Sequence, residues 1–168
     1  MQMTLGLTRE RKNPPDRRAV LSPSQCADLL HDNPDLRILV EPSEIRVFPN
    51  QDYVDAGCQL TDQLGDADWL LGVKEVPVDY LHPGKTQFFF SHTYKRQPYN
   101  RGLLKACVDK GVRLIDWELL QCNHKRVIGF GVYAGLVGVY EAMRGYGLKT
   151  QKFDISPALK LGTVAELK

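Results

Sequence analysis

The sequence predicts an α/β fold, a three-layer α/β/α sandwich around a mostly parallel sheet. Extended and helical segments alternate at the spacing of βαβ units. Residues 69–73 (WLLGV) and 87–91 (QFFFS) are nearly continuous apolar runs, suited to strands covered on both faces. The 168 residues, 43% of them apolar, suffice for one such domain. Two domains of ordinary size would need about twice that length.

Each element has a local justification. Residues 3–8 (MTLGLT) form a short strand. Ser22 caps the next helix, Pro23 suits its first position, Gln25 closes a capping box, and the helix ends before Pro34. Residues 36–41 (LRILVE) make a strand stopped by Pro42, and Asn50 caps a short helix that ends at Gly57. Pro77, Pro83 and Gly84 mark a turn-rich loop between the two apolar strands. Residues 100–110 form a helix with Leu103, Leu104 and Cys107 on one face and Gly111 as its C-terminal glycine. Residues 112–116 (VRLID) and 126–130 (RVIGF) supply further strands, and residues 134–144 the last clear helix. Residues 148–168 have weak periodicity and suit a strand plus a partial helix, or a tail.

Composition excludes several function classes. The 22 basic and 20 acidic residues leave a net charge of +2, without the cationic field of a typical nucleic-acid binder. No apolar run approaches the ~20 residues of a membrane span, and the opening MQMTLGLTRERK lacks the apolar segment of a signal peptide. The expected location is cytoplasmic. Cys26, Cys58, Cys107 and Cys122 form no C-x-x-C pair and no zinc-like cluster with the histidines, so they read as reduced thiols, with no metal expected.

Residues 129–135 (GFGVYAG) resemble a dinucleotide-binding glycine loop. The spacing is one residue too long, few residues follow it, and Asp154 is the nearest candidate for the ribose-binding acid. Gly135, Gly138, Gly145 and Gly147 fit better as sites of close packing, interdomain contact or sharp turning.

Ligands of open α/β sheets bind beyond the carboxyl ends of the strands. Lys74 follows one apolar strand, His92 follows the other, Arg126 stands at the entrance to residues 127–130, and Arg18 lies in the loop after the first strand. A single strand-end lysine is ordinarily surface charge, and a single histidine is ordinarily structural. The combination is more specific. The stretches 6–10 (GLTRE), 18–23 (RAVLSP), 71–75 (LGVKE), 90–95 (FSHTYK) and 127–135 (VIGFGVYAG) occur in order. Over about residues 4–148 they resemble the N-terminal domain shared by alanine dehydrogenases, proton-translocating transhydrogenases, lysine-forming saccharopine dehydrogenases and lysine–ketoglutarate reductases, with the last two nearest.

That resemblance implies a Rossmann-like or flavodoxin-like substrate domain over residues 1–148. Residues 149–168 are then a tail or the start of a connection to a cofactor domain absent from this chain. It implies Lys74 and His92 as catalytic residues, and Arg18 and Arg126 as grips for substrate carboxylates. It also implies Gln97 and Phe130 as substrate contacts. Lys125 stands where an arginine occurs in the saccharopine branch, and Pro14-Pro15 lengthens the loop before Arg18. The implied cofactor is NAD or NADP, held mainly by the absent Rossmann domain in cis or in trans. The implied partner is a small amino acid or 2-oxo acid, with a homo-oligomer left open, and neither nucleic acid nor membrane is expected.

The implied reaction joins or separates lysine and 2-oxoglutarate through saccharopine, a secondary amine, and the domain is expected to be inactive alone. Two alternatives are an alanine and pyruvate enzyme, and a non-catalytic binding module for amino or oxo acids. The residue types suit amine chemistry. A lysine serves as base near neutral pH if burial or cationic neighbours bring its pKa to about 7–8. Histidine titrates near neutrality and suits proton exchange with water. Glu118 reads first as an ordinary salt-bridged or solvated glutamate, with a tuning carboxylate near Lys74 as the alternative, while Tyr94 and Lys95 read as structural.

Overall fold

A computed structural model describes residues 2–167, which form two compact units divided at Leu120/Gln121. The first unit carries a six-stranded sheet. Its strands are β1 (Met3–Leu7), β2 (Leu36–Val40), β3 (Gln59–Leu60), β4 (Trp69–Lys74), β5 (Thr86–Phe90) and β6 (Arg113–Asp116). They lie in the order β3-β2-β1-β4-β5-β6, and every pairing is parallel. The strand order reverses between β1 and β4, so the crevice for a ligand opens at their carboxyl ends.

Helices cover both faces because the strands alternate two apolar sets. Leu5, Leu7, Ile38, Val40 and Leu71 face helices α1 (Pro23–Asp32) and α2 (Asn50–Asp55), which contribute Cys26 and Tyr53. Phe89 faces the opposite way, against Leu103 and Cys107 of α3 (Arg101–Asp109). Leu39 and Leu70 pack with Leu64 and Ala67. Gly6 lets the chain come close there. A Cβ at Gly6 would stand 2.8 Å from a Leu70 methyl and 2.9 Å from the Ala67 Cβ.

The start of α1 follows the sequence: Ser22 caps it, Gln25 completes the capping box and Pro23 opens the helix. The start of α2 does not. Pro49 is its N-cap, and the Asn50 side chain instead accepts from the Ser43 amide at 3.0 Å and Arg46 Nη2 at 2.8 Å, folding the preceding loop onto the helix. α3 is preceded by a 3-10 turn (Pro98–Asn100), and Leu103 and Cys107 are buried while Leu104 is 44% exposed.

The second unit differs more from expectation. Residues 126–130 are not a strand of the sheet. Arg126 instead ends a small antiparallel hairpin of β7 (Gln121–Cys122) and β8 (Lys125–Arg126), where the polar stretch turns on itself, and residues 127–130 follow it. Helix α4 (Gly131–Thr150) is longer than the predicted 134–144. Residues 151–167 contain 3-10 turns at Ala158–Lys160 and Val164–Leu167 and no strand. Only Gly147 of the four glycines is closely packed, with Phe153 2.5 Å from where a Cβ would stand. Gly135, Gly138 and Gly145 have no described atom within 4 Å of that position.

Among the described residues no helix is long and apolar enough to cross a membrane, and the four cysteines are free thiols.

Gly6→Ala is expected to cost about 1–3 kcal/mol through overpacking against Leu70 and Ala67. Denaturant unfolding monitored by circular dichroism measures the loss.

Candidate functional site

The carboxyl edge of β1, β4, β5 and β6 gathers the polar side chains of the first unit. The key local feature is at the end of β4. Leu71 pairs with Phe88, but Lys74 pairs with Phe90, so β4 holds one residue more than β5 over this step. Such a bulge re-aims a side chain and leaves backbone groups to be satisfied elsewhere. The Glu10 carboxylate accepts from the Val73 amide at 2.7 Å and the Lys74 amide at 2.9 Å. The Trp117 indole N–H donates to the Gly72 carbonyl at 2.7 Å, and the Thr8 amide donates to the Leu71 carbonyl at 2.9 Å. Gly72 is required in this corner, since a Cβ there would stand 2.7 Å from Thr8 Oγ1.

Charges surround Lys74. Asp16 receives Arg18 Nε at 2.9 Å and the Arg18 backbone amide at 3.0 Å, which orients the guanidinium. Its carboxyl is held below the usual aspartate value, first by the hydrogen bond from Arg18, with a smaller contribution from the Lys74 charge. Arg18 is in turn pushed up by Asp16. Glu10 moves the other way: burial pushes its carboxyl up, against the Val73 and Lys74 hydrogen bonds that favour its charge. Lys12 pairs with Glu75, next in sequence to Lys74.

His92 follows β5 in a left-handed conformation (φ 54°). A ring of short-range bonds holds that turn. Ser91 Oγ donates to Asp116 Oδ2 at 2.5 Å, Asn100 Nδ2 donates to the Ser91 carbonyl at 2.6 Å, and Asp116 Oδ1 accepts from the Glu118 amide at 2.8 Å. His92 Nδ1 lies 3.4 Å from Glu118 Oε2, and Lys95 Nζ lies 2.7 Å from Glu118 Oε1. A carboxylate at Nδ1 favours the tautomer with its proton there, leaving Nε2 as an acceptor. Glu118 therefore serves His92 and Lys95, the salt-bridged glutamate that the sequence favoured over a partner of Lys74. Tyr94 is 54% exposed.

Gln97 lines a cleft of about 380 Å³ with Thr93, Arg96, Asn100 and Arg101, and its buried Oε1 has no hydrogen-bond partner among the described residues. A larger cleft of about 570 Å³ is mostly apolar and runs along the α1 face of the sheet, from Met3, Leu36 and Trp69 to Leu71, Phe88 and Trp117. Arg126 and Phe130 belong to the second unit, in β8 and immediately before α4. The structure thus groups Arg18 and Lys74 with Glu10 and Asp16, and places His92 on the adjacent strand end. Glu10 lies inside the quoted stretch 6–10 but was given no role from sequence, and Asp16, Asp116 and Trp117 were not singled out. Their signal was place: Glu10 and Asp16 in the loop after β1, Asp116 at the end of β6 and Trp117 directly after it.

Among the described residues, neither the turn after β1 nor the glycine segment at 129–135 has the form of a dinucleotide cradle. Such a cradle needs a glycine turn running from a sheet strand straight into a helix. β1 is followed by Thr8, Arg9 and Glu10, and α1 begins only at Pro23. The glycine segment at 129–135 follows the hairpin strand β8 and not a strand of the six-stranded sheet. Among the described residues no group of three or more His, Cys, Asp or Glu side chains is placed to hold a metal ion.

Glu10 and Asp16 give opposite pH dependences. The folded Glu10 keeps its proton above 4.5, the value at which an unperturbed carboxyl loses it, so stability falls as pH rises through its folded pKa. Asp16 contributes stability that is present above 3.8 and is lost as pH falls through its depressed folded pKa. Unfolding free energies between pH 2 and 7 are expected to lose the first trend in Glu10→Gln and the second in Asp16→Asn.

Comparison with known proteins agrees with this architecture. A 164-residue stretch is 38% identical to the alpha-aminoadipic semialdehyde synthase of Arabidopsis thaliana, covering 94% of this chain and 15% of that protein. Over 139 residues it is 29% identical to the saccharopine dehydrogenase (NAD(+), L-lysine-forming) of Yarrowia lipolytica, covering 77% of this chain and 36% of that protein. The solved structure of an L-alanine dehydrogenase superposes with a TM-score of 0.68 at 22% identity, over 89% of this chain and 42% of its own, and shares the fold. The chain therefore spans well under half the length of these proteins. The family model for the alanine dehydrogenase/PNT N-terminal domain matches residues 6–137, and the chain belongs to that family.

Proposed function

We propose that this chain is the substrate-binding and proton-transfer domain of an NAD(P)-dependent amino-acid oxidoreductase acting on saccharopine, the secondary amine formed from lysine and 2-oxoglutarate. The observation that carries the proposal is the grouping of Lys74 with the Asp16-oriented Arg18 at the point where strand order reverses, with His92 on the next strand. Lys74 accepts the N–H proton of the amine, and His92 exchanges protons with the water that adds to the imine. Arg18 and Arg126 hold carboxylates, and Gln97 and Phe130 contact the rest of the substrate. A nicotinamide cofactor, when bound, would supply the hydride chemistry.

Saccharopine is preferred over alanine because the relatives at 38% and 29% identity are named for alpha-aminoadipic semialdehyde and saccharopine. The alanine dehydrogenase structure shares the fold at 22% identity.

Calorimetry with 2-oxoglutarate, lysine, saccharopine, alanine and pyruvate tests the proposal. 2-Oxoglutarate and saccharopine are expected to bind more tightly than alanine and pyruvate. Arg18→Ala is expected to lose about 1.5–3 kcal/mol, or roughly 10- to 150-fold, the value of a charge-assisted hydrogen bond. Binding unchanged in Arg18→Ala, or a preference for pyruvate, overturns it. The purified chain is also expected to transfer no hydride with either nicotinamide cofactor, and turnover by it would show that the chemistry is complete within these 168 residues.

A further inference from the structure

We propose that Glu10 is a positioning residue for Lys74: its carboxylate fixes the bulged end of β4 and so sets where the lysine amine stands. The inference rests on the assignment of Lys74 to the substrate site made above. Two adjacent amides, those of Val73 and Lys74, point at one carboxylate, each with its own oxygen, at 2.7 and 2.9 Å. Two converging donors need a group with two acceptor oxygens and no proton of its own, which an ionised carboxylate supplies and an amide does not.

The break of register between Leu71 and Lys74 leaves the strand end without continuous support from β5. The bonds to Glu10 cross 63 and 64 residues of sequence, from the loop after β1 to the end of β4. That loop also carries Asp16 and Arg18, and the charges of both act on Glu10. Glu10 therefore ties the strand that presents the amine to the loop that presents the carboxylate grip. Replacing it leaves Arg18 and Asp16 joined to each other while releasing the main chain of Lys74. The role differs from an ordinary helix or strand cap because its consequence is read at the Nζ of one lysine.

The test uses the whole chain with 2-oxoglutarate and cyanoborohydride. The Lys74 amine condenses with the oxo carbon, water leaves, and the reagent supplies hydride to the imine, fixing a label that peptide mass spectrometry locates. In parallel, NMR follows the Val73 and Lys74 amides, and calorimetry follows 2-oxoglutarate affinity. Glu10→Gln is expected to move both amide resonances and to slow labelling of Lys74 about tenfold or more, with affinity changed less than about twofold. Glu10→Asp, which keeps the charge and both oxygens, is expected to fold and to recover part of the labelling rate.

Labelling of Lys74 in Glu10→Gln as fast as in the parent chain overturns the role of Glu10 alone. If Glu10→Gln does not fold, Glu10→Asp decides: a rate below that of the parent at equal affinity supports the role, and an equal rate overturns it. A parent chain whose Lys74 takes no label overturns the placement of Lys74 at the substrate, and the role of Glu10 with it.

Discussion

The polar end of the first unit depends on how the main chain of β4 is satisfied where it leaves register with β5. A parallel strand buried on both faces cannot end with open amides and carbonyls, because each would forfeit a hydrogen bond that water cannot replace. Here the groups are taken up by Glu10 and Thr8 from the loop after β1 and by Trp117 from the turn after β6. Satisfying the bulge therefore draws the loop after β1 and the turn after β6 onto β4. The same bonds that close the sheet assemble the candidate site.

The electrostatics divide into two groups. Around β1 and β4, Asp16, Arg18, Glu10 and Lys74 influence one another, with Asp16 depressed and Glu10 raised. Around β5 and β6, Glu118 stands between His92 and Lys95, and Asp116 holds the backbone of the turn. Trp117 joins the two groups physically, since it follows Asp116 in sequence and bonds to the Gly72 carbonyl. A proposed division of labour follows from this arrangement. One group meets the amine and its carboxylate, and the other manages the proton exchanged with water.

The second unit has a separate character. Its helix α4 carries Val132, Tyr133, Val139, Met143 and Tyr146 with more than half of their surface exposed, a high apolar exposure for one helix. The glycines that open it meet no neighbours. Arg126 and Phe130 stand in this unit, and their roles toward substrate are proposals.

Most of the fold was legible in the sequence because strand and helix signals are local. The apolar runs at 69–73 and 87–91 became β4 and β5, and Ser22, Pro23 and Gln25 set the start of α1 as their chemistry dictates. The failures were also local signals, outbid by tertiary partners. Asn50 gave up its capping role to bind Ser43 and Arg46, and of residues 126–130 only Arg126 pairs, in the local β7–β8 hairpin and not in the six-stranded sheet. Lys74, His92 and Arg18 were visible by their position after strands and by the motifs around them. Their surroundings were not. Glu10 reaches β4 across more than sixty residues, and Glu118 chose His92 and Lys95. By itself the sequence determined which segments extend, which coil and which charges end at the sheet's edge. Only the tertiary structure decided which carboxylate faces which base, because that pairing depends on strand order and a one-residue bulge, neither of which a local pattern encodes.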